Sequence, residues 1–438
     1  MNPNLHELSI DEVGRLLRAR QISAPELAQH HLDQIAAKDQ QIRAFVQVDP
    51  DLTLAAARHA DNELRAGLDR GPLHGIPYGL KDIIDAQGYR TTCQSKVQPG
   101  QTLTVDSAVA AKMRAAGAIL LGKLNTWEFA LDGPAFDLPF PPARNPWNLT
   151  RDPGGSSSGC GAAIAAGFAR IAIGTDTGGS IRYPASACGV VGIKPTRGRV
   201  SLEGVFPLSA TLDHCGPLGK TVRDVELCLE AIAEPSPHAT GRRLPSDGRL
   251  EGIRVGLDSR ALEAASADET AALHRAAQIL ADRRARVERI DFPDYPLFNA
   301  SGLTILFAEA FHVHQHTLRS RPRDYGELVY RRLLMGGTFA ASELLDAYRV
   351  RSELTGRVSS VMSQYDAVLT ATTLTTALPL EPGVENTILR TIQFDVTGHP
   401  AVAVPCGTAA GLPLSVQLAG RYYEEGVLLG LAKVIESV

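Results

Sequence analysis

The 438-residue sequence is short of several things, and each shortage removes a class of protein. Its six cysteines (Cys93, Cys160, Cys188, Cys215, Cys228 and Cys406) are scattered and make no C-x-x-C pair. A disulfide framework is therefore not expected, and the pattern fits free thiols in a reducing compartment. No uninterrupted run of about 18 apolar residues occurs, so no membrane span is expected. The start, Met1 to Ser9, is polar, carries Glu7 and lacks the basic and apolar regions of a signal peptide. The cytoplasm is the expected location. Positive charge is not in excess: 44 Lys and Arg stand against 48 Asp and Glu, a net charge of −4, which gives no sign of a nucleic-acid partner. There is no H-E-x-x-H. His312, His314 and His316 do form H-x-H-x-H, but only His312 and His316 would share a helix face, which reads as a partly exposed helix with no metal. Gly159-x-Gly161 lacks the third glycine of a dinucleotide fingerprint, and no cofactor is expected.

What is present is an ordinary globular composition, 44% hydrophobic and 21% charged. Length alone would allow two or three domains. The first 65 residues read as helical. Ser9 with Glu12 and Ser23 with Glu26 are capping-box patterns, the second with Pro25 in the first turn, and Leu54–Leu68 suggests a third helix. From Gly71 to Pro217 short apolar runs alternate with glycine-rich turns and helix-like stretches: Ile119–Leu121 after Ser107–Ala116, and Ile171–Ile173 after Ala162–Ala169. That alternation predicts an α/β sheet covered on both faces. A polar loop spans residues 233–250, a strand restarts at Arg254–Leu257, helices are expected over 267–284 and 302–318, and Tyr365–Thr373 and Ala401–Pro405 return to β-type runs.

Three segments carry chemistry. In Gly75-Ile76-Pro77-Tyr78-Gly79-Leu80-Lys81-Asp82 a lysine ends an apolar, strand-like run, where lysines are rare. In Gly154-Gly155-Ser156-Ser157-Ser158-Gly159-Cys160-Gly161 a tight turn runs into an alanine-rich helix, whose N-terminus turns free N–H groups toward the loop. In Gly174-Thr175-Asp176-Thr177-Gly178-Gly179-Ser180-Ile181-Arg182 two glycines before a serine allow several N–H groups to face one way, as an oxyanion hole requires. Each has a bland alternative: a strand-end lysine reaching solvent, a Gly/Ser linker, and an ordinary turn. Gly155–Gly159 also matches G-x-S-x-G with Ser157 at its centre, but Pro146, Asp152 and Pro153 precede it where an α/β-hydrolase elbow needs a strand. That reading would need His214 or His399 as its histidine.

Taken together, the three segments resemble the amidase signature family along essentially the whole chain. The match is closest over Gly154–Pro195, including G-I-K-P-T at Gly192–Thr196, with Leu80-Lys81-Asp82 upstream and Leu212–Pro217 downstream. The resemblance implies one continuous domain. An N-terminal helical layer (1–65) would cover an α/β core (66–438) with its signature region at about 75–217, built on a mixed twisted sheet with helices on both faces. It implies Ser180 as nucleophile, Ser156 as the bridging serine and Lys81 as base, with the oxyanion held by N–H groups of Thr177, Gly178, Gly179 and Ser180. Asp176, Arg182 and Ser157 would support the turn. Trp127, Phe129, Ala130, Leu131 and Phe136 lie where relatives line the acyl pocket, though each could be plain core. Lys194 matches a family position without being the catalytic lysine.

The expected reaction is hydrolysis of a small amide, anilide, carbamate or ester through an acyl-enzyme, by a chain that acts alone or as a homodimer. The alternative is the ammonia-releasing A-type component of an aminoacyl-tRNA amidotransferase, which takes ammonia from glutamine for a partner subunit. Such components carry an acid in the late segment, at a position that falls near Ile388, and Asn386–Phe394 contains none. Ala371-Thr372-Thr373 also stands where many relatives have a T-P-T run.

Overall fold

The computed structural model describes residues 5–98, 100–245, 248–293, 295–384 and 390–437. Both capping boxes form as the sequence predicts. Ser9 and Glu12 exchange side-chain and backbone hydrogen bonds at the start of helix Ile10–Arg18. Ser23 and Glu26 do the same for Ala24–Ile42, with Pro25 in the first turn. The third helix begins earlier than the apolar pattern suggests, at Pro50–Arg65. Its start is set by Asp49, whose side chain accepts from Leu52 N–H, followed by a proline at the first helical position.

One 11-stranded sheet runs through the molecule. Its strands are β1 (Phe45–Val48), β2 (Pro77–Lys81), β3 (Ile119–Leu124), β4 (Ile171–Asp176), β5 (Val191–Lys194), β6 (His214–Gly219), β7 (Arg254–Asp258), β8 (Arg286–Ile290), β9 (Ala367–Ala371), β10 (Ala401–Ala409) and β11 (Leu412–Gly420). They lie in the order β1-β3-β2-β4-β6-β5-β10-β11-β9-β7-β8. The sheet is mixed: β2 pairs parallel with β3 and β4, β7 pairs parallel with β8 and β9, and the pairs from β4 through β6, β5, β10 and β11 to β9 are antiparallel. The N-terminal segment is not purely helical, because β1 pairs antiparallel with β3 at the sheet edge.

Side chains alternate between two buried clusters, one on each face. Ile171 and Ile173 of β4 join one cluster and Ala172 the other; Val402 and Val404 of β10 join the first and Ala403 the second. All six cysteines are free and buried in this core. No helix among the described residues is long and apolar enough to cross a membrane.

Candidate active site

Strand β2, third from one edge of the sheet, holds Lys81 between β3 and β4. The lysine is fully buried. Its Nζ lies 2.7 Å from Ser156 Oγ and 2.7 Å from Thr175 Oγ1. Burial pulls it down to about 8, against a smaller upward pull from the region of Cys160, Asp176 and Asp213. The neighbouring Asp82 does not pair with Lys81. It faces Lys123 Nζ at 3.0 Å, both side chains fully buried, and also accepts from Thr92. Among the described residues Lys81 is thus left without a contacting carboxylate, a condition under which an amine is most readily neutral.

Ser156 stands at the head of the helix Ser158–Ala165, fully buried, behind a Gly155–Ser156 peptide bond that is cis. Gly155 has to be glycine, since a Cβ there would meet the Trp127 ring at 2.1 Å. The following Ser157 packs against β4: its Oγ donates to Thr175 carbonyl at 3.2 Å, and its N–H donates to Ser180 carbonyl at 3.2 Å. This ties the two glycine-rich loops together. Ser157, buried and held as a strut, lacks the exposed position that a nucleophile elbow requires. His214 points its Nδ1 at the Leu212 carbonyl 2.7 Å away, and His399 is stacked on Tyr422 with ring centroids 4.0 Å apart.

The turn that carries Ser180 leaves β4 at Asp176 and is held from beneath. Asp176 takes Gly179 N–H at 2.6 Å, Ile181 N–H at 3.1 Å and Arg182 Nε at 2.9 Å. Burial alone would raise this carboxyl, but the charge and hydrogen bonds of Arg182 outweigh it and keep Asp176 ionised. Arg182, itself fully buried, reaches further, to Thr391 carbonyl at 2.8 Å, Gln417 Oε1 at 2.7 Å and Asp395 Oδ2 at 2.7 Å. Thr391 Oγ1 donates back to Gly178 carbonyl at 2.5 Å. Gly179 has φ +136°, and a Cβ there would fall 2.2 Å from Thr391 Oγ1.

Gly179 departs from the sequence expectation, because its N–H is already engaged by Asp176. The N–H groups of Thr177, Gly178 and Ser180 meet no backbone acceptor among the described residues. Thr177 is steadied through its hydroxyl, which donates to Asp213 Oδ1 at 2.6 Å.

Ser180 is half-buried and opens on a cavity of about 580 Å³ together with Thr177, Gly178, Gly155, Trp127, Ala130 and Leu131. Three of the expected pocket residues are therefore on its wall. Phe136 is not. It stands 44% exposed on the proline-rich loop that follows, where it meets solvent instead of substrate space. Phe129 is core, packed edge-on against His314 with centroids 4.4 Å apart. His314 itself is buried and bonded to the Tyr325 hydroxyl, while His312 and His316 lie on less buried parts of the same helix. The late segment near Ile388 lies outside the described residues.

Sequence reasoning missed Thr175 as the second contact of Lys81 and Thr391, Asp395 and Gln417 as anchors of Arg182. The last three sit in no glycine-rich motif. Their only sequence signal is the presence of polar residues in or beside otherwise apolar runs.

The amidase family model matches residues 26–429. The chain belongs to the amidase family. Among its relatives is the A-type component of glutamyl-tRNA(Gln) amidotransferase from Roseiflexus sp. (strain RS-1), 36% identical over 472 residues, covering 99% of this chain and 97% of that one. A solved structure of a vestigial protein complex that bears on the origins of an s-triazine catabolic enzyme superposes with TM-score 0.90 at 31% identity, over 98% of each chain. The peptide amidase of Stenotrophomonas maltophilia superposes with TM-score 0.86 at 28% identity, over 98% of this chain and 96% of that one. Membership makes this amidase-family chain an enzyme of carbon–nitrogen bonds, and the mixed 11-stranded sheet is the fold it shares with these structures.

Proposed function

We propose that the chain is a serine amidohydrolase in which Ser180 attacks the carbonyl, Ser156 relays the proton and Lys81 receives it. The observation that carries this reading is the buried Lys81, pulled down to about 8 with its Nζ 2.7 Å from Ser156 Oγ. A serine hydroxyl is a weak nucleophile without a base, and a lysine acts as one only when neutral. In the neutral state the Ser156 hydroxyl donates to the Nζ lone pair and is free to accept from Ser180. The Ser180 oxygen bonds to the acyl carbon, and the negative charge on the carbonyl oxygen falls among the N–H groups of Thr177, Gly178 and Ser180. The proton returns through Ser156 to the nitrogen of the leaving amine as the C–N bond breaks. Water then repeats the sequence on the acyl-enzyme, with the same base and the same oxyanion donors.

The test is a turnover panel of primary amides, anilides, carbamates and esters with the purified chain alone, run beside Ser180→Ala. The reading expects hydrolysis without a partner, and loss of both turnover and covalent labelling by a fluorophosphonate in Ser180→Ala. Labelling that persisted and mapped to Ser157 would overturn it.

A second reading is favoured by the 36% identity to a glutamyl-tRNA(Gln) amidotransferase component. On that reading the same serines and lysine release ammonia from glutamine for a partner protein. Activity confined to glutamine, and appearing only when partner proteins are added, would establish it in place of the free-standing enzyme.

A further inference from the structure

The rest of the Ser180 cavity is lined by residues that no motif announced. Helix Tyr295–Ser320 contributes Leu303, Leu306 and Phe307; Met335 comes from helix Glu327–Gly336, Phe339 from the turn after it, and Ile392 from helix Ile392–Thr397. Leu303, a large apolar side chain that is 41% exposed, lines the cavity, unlike the similarly exposed Phe136. Two charged residues line the cavity among those described, Asp132 and Arg332, and they are spent on each other in an ion pair. Asn299 and Thr304 supply uncharged polarity, and the Thr304 hydroxyl donates to its own helix at Ala300 carbonyl, 2.8 Å away.

This wall has consequences for what it admits. An apolar group leaving water for it gains in proportion to the area covered. A charged group entering it loses hydration and finds no uncompensated counter-charge among the described lining residues, so it is penalised. Glutamine carries both an ammonium and a carboxylate close to its amide chain.

We infer that the cavity selects amides whose acyl part is an uncharged apolar group, an alkyl chain or an aryl ring, with the Asp132–Arg332 pair keeping the wall electrically neutral. The inference rests on Ser180 being the nucleophile, because that is what makes this cavity substrate space. The acyl group stays bound to Ser180 through both half-reactions, so its fit to the adjoining wall counts in each, whereas the amine departs after the first.

The experiment measures kcat/KM for acetamide, propionamide, butyramide, hexanamide and phenylacetamide, with glutamine and succinamate as charged comparators. A second series varies the N-alkyl group at a fixed acetyl. The expected result is a rise of roughly fourfold per acyl methylene, the ratio that corresponds to burying one such group, and a lead of phenylacetamide over glutamine of roughly a hundredfold. Asp132→Asn should leave the Arg332 charge uncompensated and raise the succinamate-to-butyramide ratio roughly tenfold. Glutamine or succinamate as the better substrate of the unmodified chain would overturn the inference and leave the Ser180 reading standing. A length dependence that followed the N-alkyl series in place of the acyl series would do the same. Absence of turnover on every amide, with no labelling of Ser180 by a fluorophosphonate, would overturn the Ser180 reading and the inference with it.

Discussion

If Lys81 is the base, the enzyme should lose activity on the acid side at a pH that burial sets. The lysine sits near 8 because it is fully buried, and it acts only in the neutral form. At pH 7 about a tenth of the molecules then carry neutral Lys81, and at pH 9 about nine tenths do, so kcat/KM should rise about tenfold between those values. The sign is fixed: falling pH protonates the base, and activity falls with it. The assay should use an uncharged amide, so that the substrate has no titration of its own, and should be paired with the rate of fluorophosphonate labelling, which reads Ser180 activation without product release. Lys81→Met, of similar bulk, should lose at least ~100-fold in kcat/KM and should lose the limb. Its fold should survive, since an apolar group replaces a buried amine in an apolar strand. A flat profile from pH 7 to 9, or a Lys81→Met enzyme within tenfold of the original, would refute the reasoning.

The remaining predictions concern what surrounds that base. Asp213→Asn removes a nearby charge that holds Lys81 up, so the acid limb of kcat/KM should move to lower pH; movement the other way would refute the assignment of that charge. Gly179→Ala puts a Cβ 2.2 Å from Thr391 Oγ1 on a backbone at φ +136°, and kcat should fall by about 10²–10³ as the oxyanion donors are displaced, measured in steady-state assays. Arg182→Met leaves the Asp176 carboxylate buried without its cation, beside an Asp395 that burial and the Asp176 charge push toward the neutral acid, and should cost about 3–5 kcal/mol in denaturant unfolding. His399→Ala should keep most activity, because that ring is occupied in a stack on Tyr422; a collapse comparable to Ser180→Ala would return a histidine to the mechanism.

The helix starts are legible in the sequence because capping is local chemistry: Ser9 with Glu12 and Ser23 with Glu26 carry their own signal within four residues. The segments of Ser156 and Ser180 are legible because tight turns demand glycine at fixed places, and Lys81 because a lysine rarely ends an apolar run. Strands β6 and β11 are not. His-Cys-Gly-Pro-Leu-Gly carries a proline and two glycines and the other run contains Pro413, residues that weaken a strand signal, and their place inside an 11-stranded sheet makes them strands. The Gly178–Gly179 pair reads as a uniform row of donors, whereas Asp176 takes the Gly179 N–H for itself, a choice made by a side chain three residues away in a folded turn. Phe136 misleads because an aromatic near a pocket segment looks the same on either side of a loop. The apolar part of the cavity wall has no local signature at all, since Leu303, Phe307 and Met335 carry the same apolar pattern as any packed helix.

Arg182 gathers Asp176, Thr391, Asp395 and Gln417 into one buried node. Its partners are separated from it by as many as 235 positions of chain. The signature region therefore contains the reactive residues without containing the means to hold them in place. A nascent chain that has emerged past Ser180 still lacks Thr391, Asp395 and Gln417, three of the four groups that hold Arg182. On the Ser180 reading, reactivity would arrive only with completion of the sheet, and a partly made or partly unfolded molecule would expose a serine and not a nucleophile.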